Sequence, residues 1–335
     1  MAEWLYEAGI GEARAALVED ERILEAHVEP EGSGPRAGAI LAARLAEIIT
    51  PRLHGRVTLE EGGEALLDGI PAGMTQGARL LVRIVREAIP EPGRAKRPRA
   101  VVALDEATPR PGPDLLGRIT GTGLPVHVLL AHEPDRLEQA GWSEVLEEAA
   151  DGEIAFPGGA LRLSVTPAMT LFDVDGSIGL EPLAVAAASA VGRAIRRLGI
   201  AGSIGVDFPT LAGKAARKAV ADALDAALPQ PFERTAMNGF GFLQIVRRRV
   251  RPSLPDLLLH DRAGAALRAH LRRIERDPPR ADQPVLVPSA ALARLAAHPE
   301  WQAEIVRRTG RAIAFASHEA AFGRSPAGED HGQVR

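Results

Sequence analysis

The sequence contains no cysteine. This absence excludes disulfide bonds, cysteine-ligated zinc, iron–sulfur clusters and thiol nucleophiles. Aromatic residues make up only 4% of the chain, which argues against a surface that stacks many nucleic-acid bases on aromatic rings. The apolar runs are far shorter than the roughly 20 residues that span a bilayer, so we expect no membrane segment.

Charge and composition set further limits. The 335 residues include 40 basic and 44 acidic ones, a net charge of −4, which excludes a wholly basic nucleic-acid-binding surface but leaves room for a local basic stripe. With 34 glycines and 26 prolines, the chain is expected to form many turns and several small subdomains. The N-terminal residues are acidic and lack a basic flank before an apolar stretch, so we expect no secretory signal and a cytoplasmic location.

Short strands, turns and helices along the chain predict an α/β protein of several subdomains. Strand-like runs separated by glycine-rich turns indicate a small β-barrel over residues 36–99, and Val101 to Leu104 is predicted as the first strand after it. The run from Ala39 to Ile49 fits a helix or a strand, and pattern alone does not decide between them. The predicted segments are residues 1–35 together with 100–155, 36–99, 156–255, 256–322, and a disordered tail at 323–335.

Three aspartates are the strongest candidates for chemistry. Asp173 and Asp175 lie two residues apart on a predicted strand, so both carboxylates face the same side. Asp207 lies near the end of the strand that follows one crossover helix, and such strands are usually parallel neighbours. Carboxylates that converge at one edge of a sheet favour a hard cation such as Mg²⁺, with a phosphodiester as the natural substrate. The alternative is that Asp175-Gly176-Ser177 is only a turn.

Three arginines lie at alternate positions of the last predicted strand in this segment. Alternation places Arg247, Arg249 and Arg251 on one face, with Leu243 and Ile245 behind them. Such a row fits consecutive phosphates of a nucleic acid. The alternative is a solvated edge strand whose charges discourage aggregation, and the residues leave both interpretations open.

Three blocks of sequence point to a known family. They are Ala-Met-Thr-Leu-Phe-Asp-Val-Asp at 168–175, Ile-Gly-Val-Asp-Phe at 204–208, and Asn-Gly-Phe-Gly-Phe-Leu-Gln-Ile-Val-Arg-Arg-Arg-Val-Arg-Pro-Ser-Leu at 238–254. Together they resemble the catalytic subdomain of the ribonuclease E/G family. That family carries a Met-Thr-x-Ile-Asp-x-Asn strand, an Ile-Asp-Phe strand and a Gly-Leu-x-Glu-Met-(Thr/Ser)-Arg-x-Arg strand.

The resemblance implies both a fold and an activity. The fold is an RNase H-like segment interrupted by a small OB-type β-barrel, then a deoxyribonuclease-I-like catalytic α/β subdomain and a small C-terminal α/β module. The activity is Mg²⁺-dependent endonucleolytic cleavage of single-stranded RNA that leaves a 5′-phosphate. By motif position, Asp173 and Asp207 bind the Mg²⁺, and Asp175 supports them where the family has asparagine. The predicted RNA-binding residues are Arg247, Arg249 and Arg251.

The chain also departs from the family pattern. A Cys-Pro-x-Cys zinc link, expected after Leu254, cannot form without cysteine, so we expect no zinc-linked dimer but a monomer or a weak homodimer. The segment that holds the family's pocket for an RNA 5′-monophosphate is missing, and the barrel is poor in aromatic residues. These departures motivate an alternative, a catalytically weak or inactive RNA-binding relative. Metal-dependent hydrolysis of another phosphodiester is a third interpretation.

Overall fold

The computed structural model describes residues 1–91, 93, 95–279 and 284–317, and it shows a mixed α/β protein with several sheets. The chain divides into two compact units. The first comprises Met1–Ala8 and Ala13–His260, and the second comprises Gly9–Glu12 and the described residues from Asp261 onward. The tail predicted at 323–335 lies outside the described residues. Within the described ranges, no helix has the length and apolar character needed to cross a membrane.

The elements are numbered in chain order. The strands are β1 (Glu3–Ala8), β2 (Glu12–Glu19), β3 (Arg22–Pro30), β4 (Ile40–Thr50), β5 (His54–Leu59), β6 (Glu64–Asp68), β7 (Arg79–Arg86), β8 (Arg99–Val102), β9 (Val126–Val128), β10 (Glu153–Phe156), β11 (Gly159–Val165), β12 (Thr170–Gly176), β13 (Gly202–Asp207), β14 (Glu233–Arg234), β15 (Phe242–Arg247), β16 (Val285–Val287) and β17 (Phe315–Ser317). The helices are α1 (Leu115–Thr120), α2 (Arg136–Gln139), α3 (Trp142–Asp151), α4 (Leu180–Arg197), α5 (Lys214–Ala227), α6 (Leu254–His260), α7 (Arg262–Arg276), α8 (Ser289–Ala297) and α9 (Pro299–Thr309).

The first sheet has four strands in the order β3-β2-β1-β9. Its first three strands, β1 to β3, follow one another along the chain and lie side by side as a meander. Strand β9 pairs parallel with β1, with Leu5 opposite His127, so residues on both sides of the barrel contribute to one sheet. Trp4 and Leu115 belong to the hydrophobic cluster that joins this sheet to α1.

The predicted barrel is confirmed as a closed five-stranded barrel, β4-β5-β6-β8-β7, of the size of an OB-fold barrel. Residues 40–50 form strand β4, which decides the ambiguity over Ala39 to Ile49 in favour of a strand. Alternate residues Leu41, Ala43 and Leu45 of β4 lie in the barrel core, the period of two that a strand imposes.

The strand predicted at Val101 to Leu104 has a different place from the one expected. It begins earlier, as β8, and closes the barrel by pairing parallel with β6 and antiparallel with β7. The boundary expected at residue 99 was therefore wrong. The barrel closes through the pairing of β8 with β6, whose Leu66 stands opposite Arg99 more than 30 positions away, and local pattern contains no signal for that partner.

The third sheet has six strands in the order β10-β11-β12-β13-β15-β14. Strands β12 and β13 are its parallel pair, and α4 connects them in the strand–helix–strand unit that the sequence predicts. An apolar stripe runs along α4 at helical spacing and is buried; it consists of Leu183, Ala187, Ala190, Val191, Ala194, Ile195 and, directly after the helix, Leu198. Helix α5 packs against α4 so closely that a Cβ at Gly192 would lie 2.7 Å from the Cβ of Ala227.

The second unit is a small α/β module, as predicted for the C-terminal region. Helices α7, α8 and α9 share a core that includes Leu271, Leu295 and Trp301. Strands β16 and β17 pair parallel beside them.

Candidate metal centre

Asp173 and Asp207 are brought side by side by the pairing of β12 with β13. Phe172 and Val174 are buried on the helix side of the sheet, so the alternating Asp173 and Asp175 are exposed on the opposite face. In the parallel register, Asp173 stands directly opposite Asp207, which is also exposed. Neighbouring strands lie about 4.8 Å apart. The two carboxylates therefore share one open face, near the carboxyl ends of the two parallel strands.

Asp175 is placed differently from the other two aspartates. It stands opposite Ala160 of β11, and its Oδ2 lies 3.3 Å from Nε of Arg162. Among the described residues, no group of three or more His, Asp or Glu side chains is arranged to hold a metal ion. The expected convergence of three carboxylates is therefore reduced to a pair, Asp173 and Asp207, with Asp175 engaged by an arginine.

Arg162 is a candidate residue that the sequence interpretation missed. It stands opposite Asp173 in the antiparallel register of β11 and β12, and its side chain is 64% exposed. The short connection from Thr166 to Met169 fixes that register, because a tight turn sets which residues of the two strands face each other. Counting back from the turn would have located Arg162 beside the aspartates.

Asp173 and Asp207 are the two side chains of this face that could hold a hard cation. Neither Asp173 nor Asp207 has an ion pair or a side-chain hydrogen bond with any residue that the structure describes. Two neighbouring carboxylates without a counterion repel each other, and a divalent cation between them removes that repulsion. Mg²⁺ is held by one or two carboxylates together with waters and substrate phosphates, so this pair fits Mg²⁺. It does not fit a structural zinc ion, which needs four protein ligands.

A rigid turn between β14 and β15 lies next to the pair. The side-chain Oδ1 of Asn238 accepts hydrogen bonds from the backbone N–H groups of Phe240 (2.9 Å) and Phe242 (3.1 Å). The hydroxyl of Thr210 donates to the carbonyl of Phe240 at 3.3 Å. Gly241 has φ +99°, a conformation that favours glycine. These contacts hold the turn in one conformation.

The turn carries two phenylalanine rings, of which Phe242 is the one opposite Asp207. Phe240, at the tip of the turn, is 85% exposed. Phe242 stands opposite Asp207 in the register, and its ring lies over Gly205, where an added Cβ would be 2.6 Å from ring atom Cζ. An exposed ring on a rigid turn is a stacking surface for a planar group. The Asn-Gly-Phe-Gly sequence of the turn was the available signal.

The predicted row of arginines is not formed. Strand β15 ends at Arg247, so strand alternation does not extend to Arg249 or Arg251. Because Phe242 stands opposite Asp207, the even-numbered residues of β15 share the face of the aspartates, and Arg247 lies on the helix side. Arg247 also stands opposite Gly202, five residues before Asp207, or roughly 17 Å along the strand.

The three arginines occupy two separate cavities. Arg247 and Arg251 line one of about 340 Å³. Burial lowers the pKa of both guanidinium groups, and Glu25 opposes this effect on the pKa of Arg247. Arg249 lines a different cavity and pairs with Oδ2 of Asp256 at 2.7 Å. None of the three shares the open sheet face with the aspartate pair.

No family model matches this chain, and no curated protein matches it. The chemistry of the site therefore follows from its geometry. Three features define the site: paired carboxylates without a counterion, an exposed arginine on the neighbouring strand, and an exposed aromatic ring on the turn before β15.

Proposed function

We propose that this protein is a Mg²⁺-dependent endoribonuclease that cleaves single-stranded RNA and leaves a 5′-phosphate. The observation that supports it most is the exposed, counterion-free pair of Asp173 and Asp207 on adjacent parallel strands. In open sheets, ligands bind beyond the carboxyl ends of parallel strands, where this pair lies. The RNase H-like and deoxyribonuclease-I-like assignments of the first and third sheets, and a cytoplasmic location, are parts of the same proposal.

Each polar residue of the site has a distinct role in this proposal. Asp173 and Asp207 would hold Mg²⁺, which when bound would polarise the phosphodiester and activate water. Arg162 offers guanidinium N–H groups beside Asp173, and these can donate to a phosphate oxygen. Asp175 keeps Arg162 in place through their 3.3 Å contact, and is thus a positioning residue rather than a metal ligand.

The aromatic turn accounts for the preference for single strands. Phe240 can stack only on a base that is free of a duplex stack, and base–aromatic stacking contributes about 1–3 kcal/mol. Phe242 lies closer to the sheet, beside Asp207. One exposed ring on the turn that begins β15 would be enough to orient a single nucleotide of the substrate, even in a chain with few aromatic residues.

Phe240→Ala is expected to weaken single-stranded RNA binding about 5- to 100-fold, the equivalent of the stacking energy. Its stability should change little because the ring is 85% exposed. Fluorescence anisotropy with a labelled oligoribonucleotide measures the effect. Phe240→Trp should retain binding, and Leu104→Ala, which removes another side chain that is 84% exposed, should leave it unchanged. Equal affinity of wild type and Phe240→Ala would contradict the stacking role.

The proposed activity is tested by incubating the full chain with end-labelled single-stranded RNA, duplex RNA and single-stranded DNA. Cleavage of the single-stranded RNA with Mg²⁺, loss of cleavage with EDTA, and products that a 5′-phosphate-dependent exonuclease degrades would support it. Cleavage that EDTA does not affect would overturn the metal assignment. Equal cleavage of single-stranded DNA would instead indicate a broader phosphodiesterase.

A second candidate function is RNA binding without catalysis. It is favoured by the position of Arg247 and Arg251, which lie in a cavity away from the aspartates rather than beside a scissile phosphate. Salt-dependent RNA binding with no cleavage at any Mg²⁺ concentration would select this function over the first.

A further inference from the structure

A second cavity lies at the opposite end of the parallel strands from the aspartate pair. Its volume is about 500 Å³, within the range of small-molecule sites. Residues at the start of β12 and β13 form one wall, and the connection between β7 and β8 forms another. Its lining combines apolar side chains, hydroxyl groups, His260, two carboxylates and three cationic side chains. The carboxylates are those of Glu91 and Asp256, and the cationic side chains are those of Arg86, Lys96 and Arg249. Neither Asp173 nor Asp207 contributes to it.

Two of the three basic residues are already neutralised within the protein. Lys96 forms an ion pair with Glu91. Arg249 pairs with Asp256, whose carboxylate is buried. Among the described residues that line the cavity, Arg86 is therefore the cationic side chain without an ion-pair partner.

Arg86 is half-buried and lacks a counterion. Its Nη2 donates to the carbonyl of Arg97 at 2.7 Å, which leaves the charge uncompensated. Its Nε is buried without a hydrogen-bond partner, and so is Nε of Arg249. Among the residues that the structure describes, no carboxylate lies within ion-pair distance of Arg86. A charge in this position costs stability until an anion reaches it.

The surroundings of Arg86 are electropositive. Burial lowers the pKa of Arg86, and the neighbouring guanidinium groups of Arg99 and Arg249 lower it further, against the opposing effect of Asp68 and Glu91. A guanidinium group nevertheless stays protonated at neutral pH. The potential in this part of the cavity is therefore positive, which favours an anion with several acceptor oxygens.

We propose that this cavity binds an organic monophosphate of nucleotide size. The phosphate would accept hydrogen bonds from Arg86 and Arg249, and the organic part would pack on the apolar side chains of Met169 and Leu259. Thr170 and Ser203, at the start of β12 and β13, carry hydroxyl groups that suit a sugar. This site shares no residue with the aspartate pair, so it stands whether or not the protein cleaves RNA.

Isothermal titration calorimetry with adenosine 5′-monophosphate, ribose 5-phosphate and inorganic phosphate tests the proposal. We expect at least one of the two organic monophosphates to bind wild type more tightly than inorganic phosphate, and which one binds identifies whether a base is required. Arg86→Gln should weaken that binding about 10-fold or more. Arg79→Gln, an exposed arginine on the same strand, should bind like wild type. Leu259→Trp, which fills the cavity but keeps Arg86, should also abolish binding.

Thermal denaturation separates binding from folding. Without ligand, Arg86→Gln should have a Tm equal to or above that of wild type, because it removes an uncompensated charge. The binding monophosphate should raise the Tm of wild type and Arg79→Gln but not that of Arg86→Gln. The proposal is overturned if no organic monophosphate binds wild type, if Arg86→Gln and Leu259→Trp bind it as tightly, or if Arg86→Gln lowers the Tm without ligand.

Discussion

Asp173→Asn and Asp207→Asn should each reduce Mg²⁺-dependent cleavage of single-stranded RNA by on the order of 10²–10³-fold, the loss typical when a main electrostatic element of a site is removed. Both side chains are exposed, and each stands opposite the other without a counterion. Removing one charge relieves repulsion, so the Tm should stay constant or rise. Single-turnover cleavage rates over a Mg²⁺ titration, together with thermal denaturation, measure both quantities.

Two further variants calibrate this result. Asp175→Asn should cause a smaller loss, since Asp175 acts through Arg162 and not on the metal. Asp222→Asn, on the exposed face of α5 with Lys218 as its partner, should cleave like wild type. Activity of Asp173→Asn and Asp207→Asn within twofold of wild type would refute the metal site. If Asp222→Asn lost as much cleavage activity as Asp173→Asn and Asp207→Asn, the loss would reflect overall charge and not the position of the aspartates.

Gly241→Ala should lower the free energy of unfolding by about 2–4 kcal/mol. Gly241 has φ +99°, and an added Cβ would lie 2.1 Å from the carbonyl oxygen of Phe208. That oxygen belongs to backbone and cannot swing aside as a long side chain can. Because Phe208 follows Asp207 directly, the displacement should also disturb the metal centre and reduce cleavage beyond the loss of folded protein. Urea denaturation and cleavage rates at matched folded fraction separate the two effects.

Gly239→Ala is the matched control in the same turn. An added Cβ at Gly239 meets nothing within 4 Å, and its φ lies outside the left-handed region. This variant should change stability by less than about 0.5 kcal/mol, as surface substitutions usually do. If Gly241→Ala were as stable as Gly239→Ala, the close approach of Gly241 to Phe208 would not be a constraint on this turn.

The parts of the fold that sequence predicts well are those with local periodicity. The apolar stripe of α4 follows the 3.6-residue period, and the residues of that stripe, from Leu183 to Leu198, are all buried. The face on which Asp173 lies follows from the period of two of a strand. Its position beside Asp207 follows from the rule that one crossover helix joins parallel neighbours. These signals need only a short stretch of chain, which is why they could be read directly.

The predictions that failed depended on where regular structure stops or on distant partners. The arginines after residue 247 were placed by alternation, but β15 ends there and the chain turns toward α6. Strand β8 was assigned outside the barrel because the pairing that closes the barrel is with β6, which is not the preceding strand. In both cases the deciding contacts are tertiary.

The amino-acid sequence by itself determined that two aspartates lie on adjacent parallel strands, that a small barrel interrupts the chain, and that no thiol chemistry occurs. Only the tertiary structure decided that Arg162 and Phe240 accompany those aspartates, that Asp175 belongs to Arg162, and that Arg86 lies in a cavity without a counterion. The reason is physical. Periodicity sets which face a side chain takes, whereas strand register and burial set which charges meet, and those depend on residues far apart along the chain.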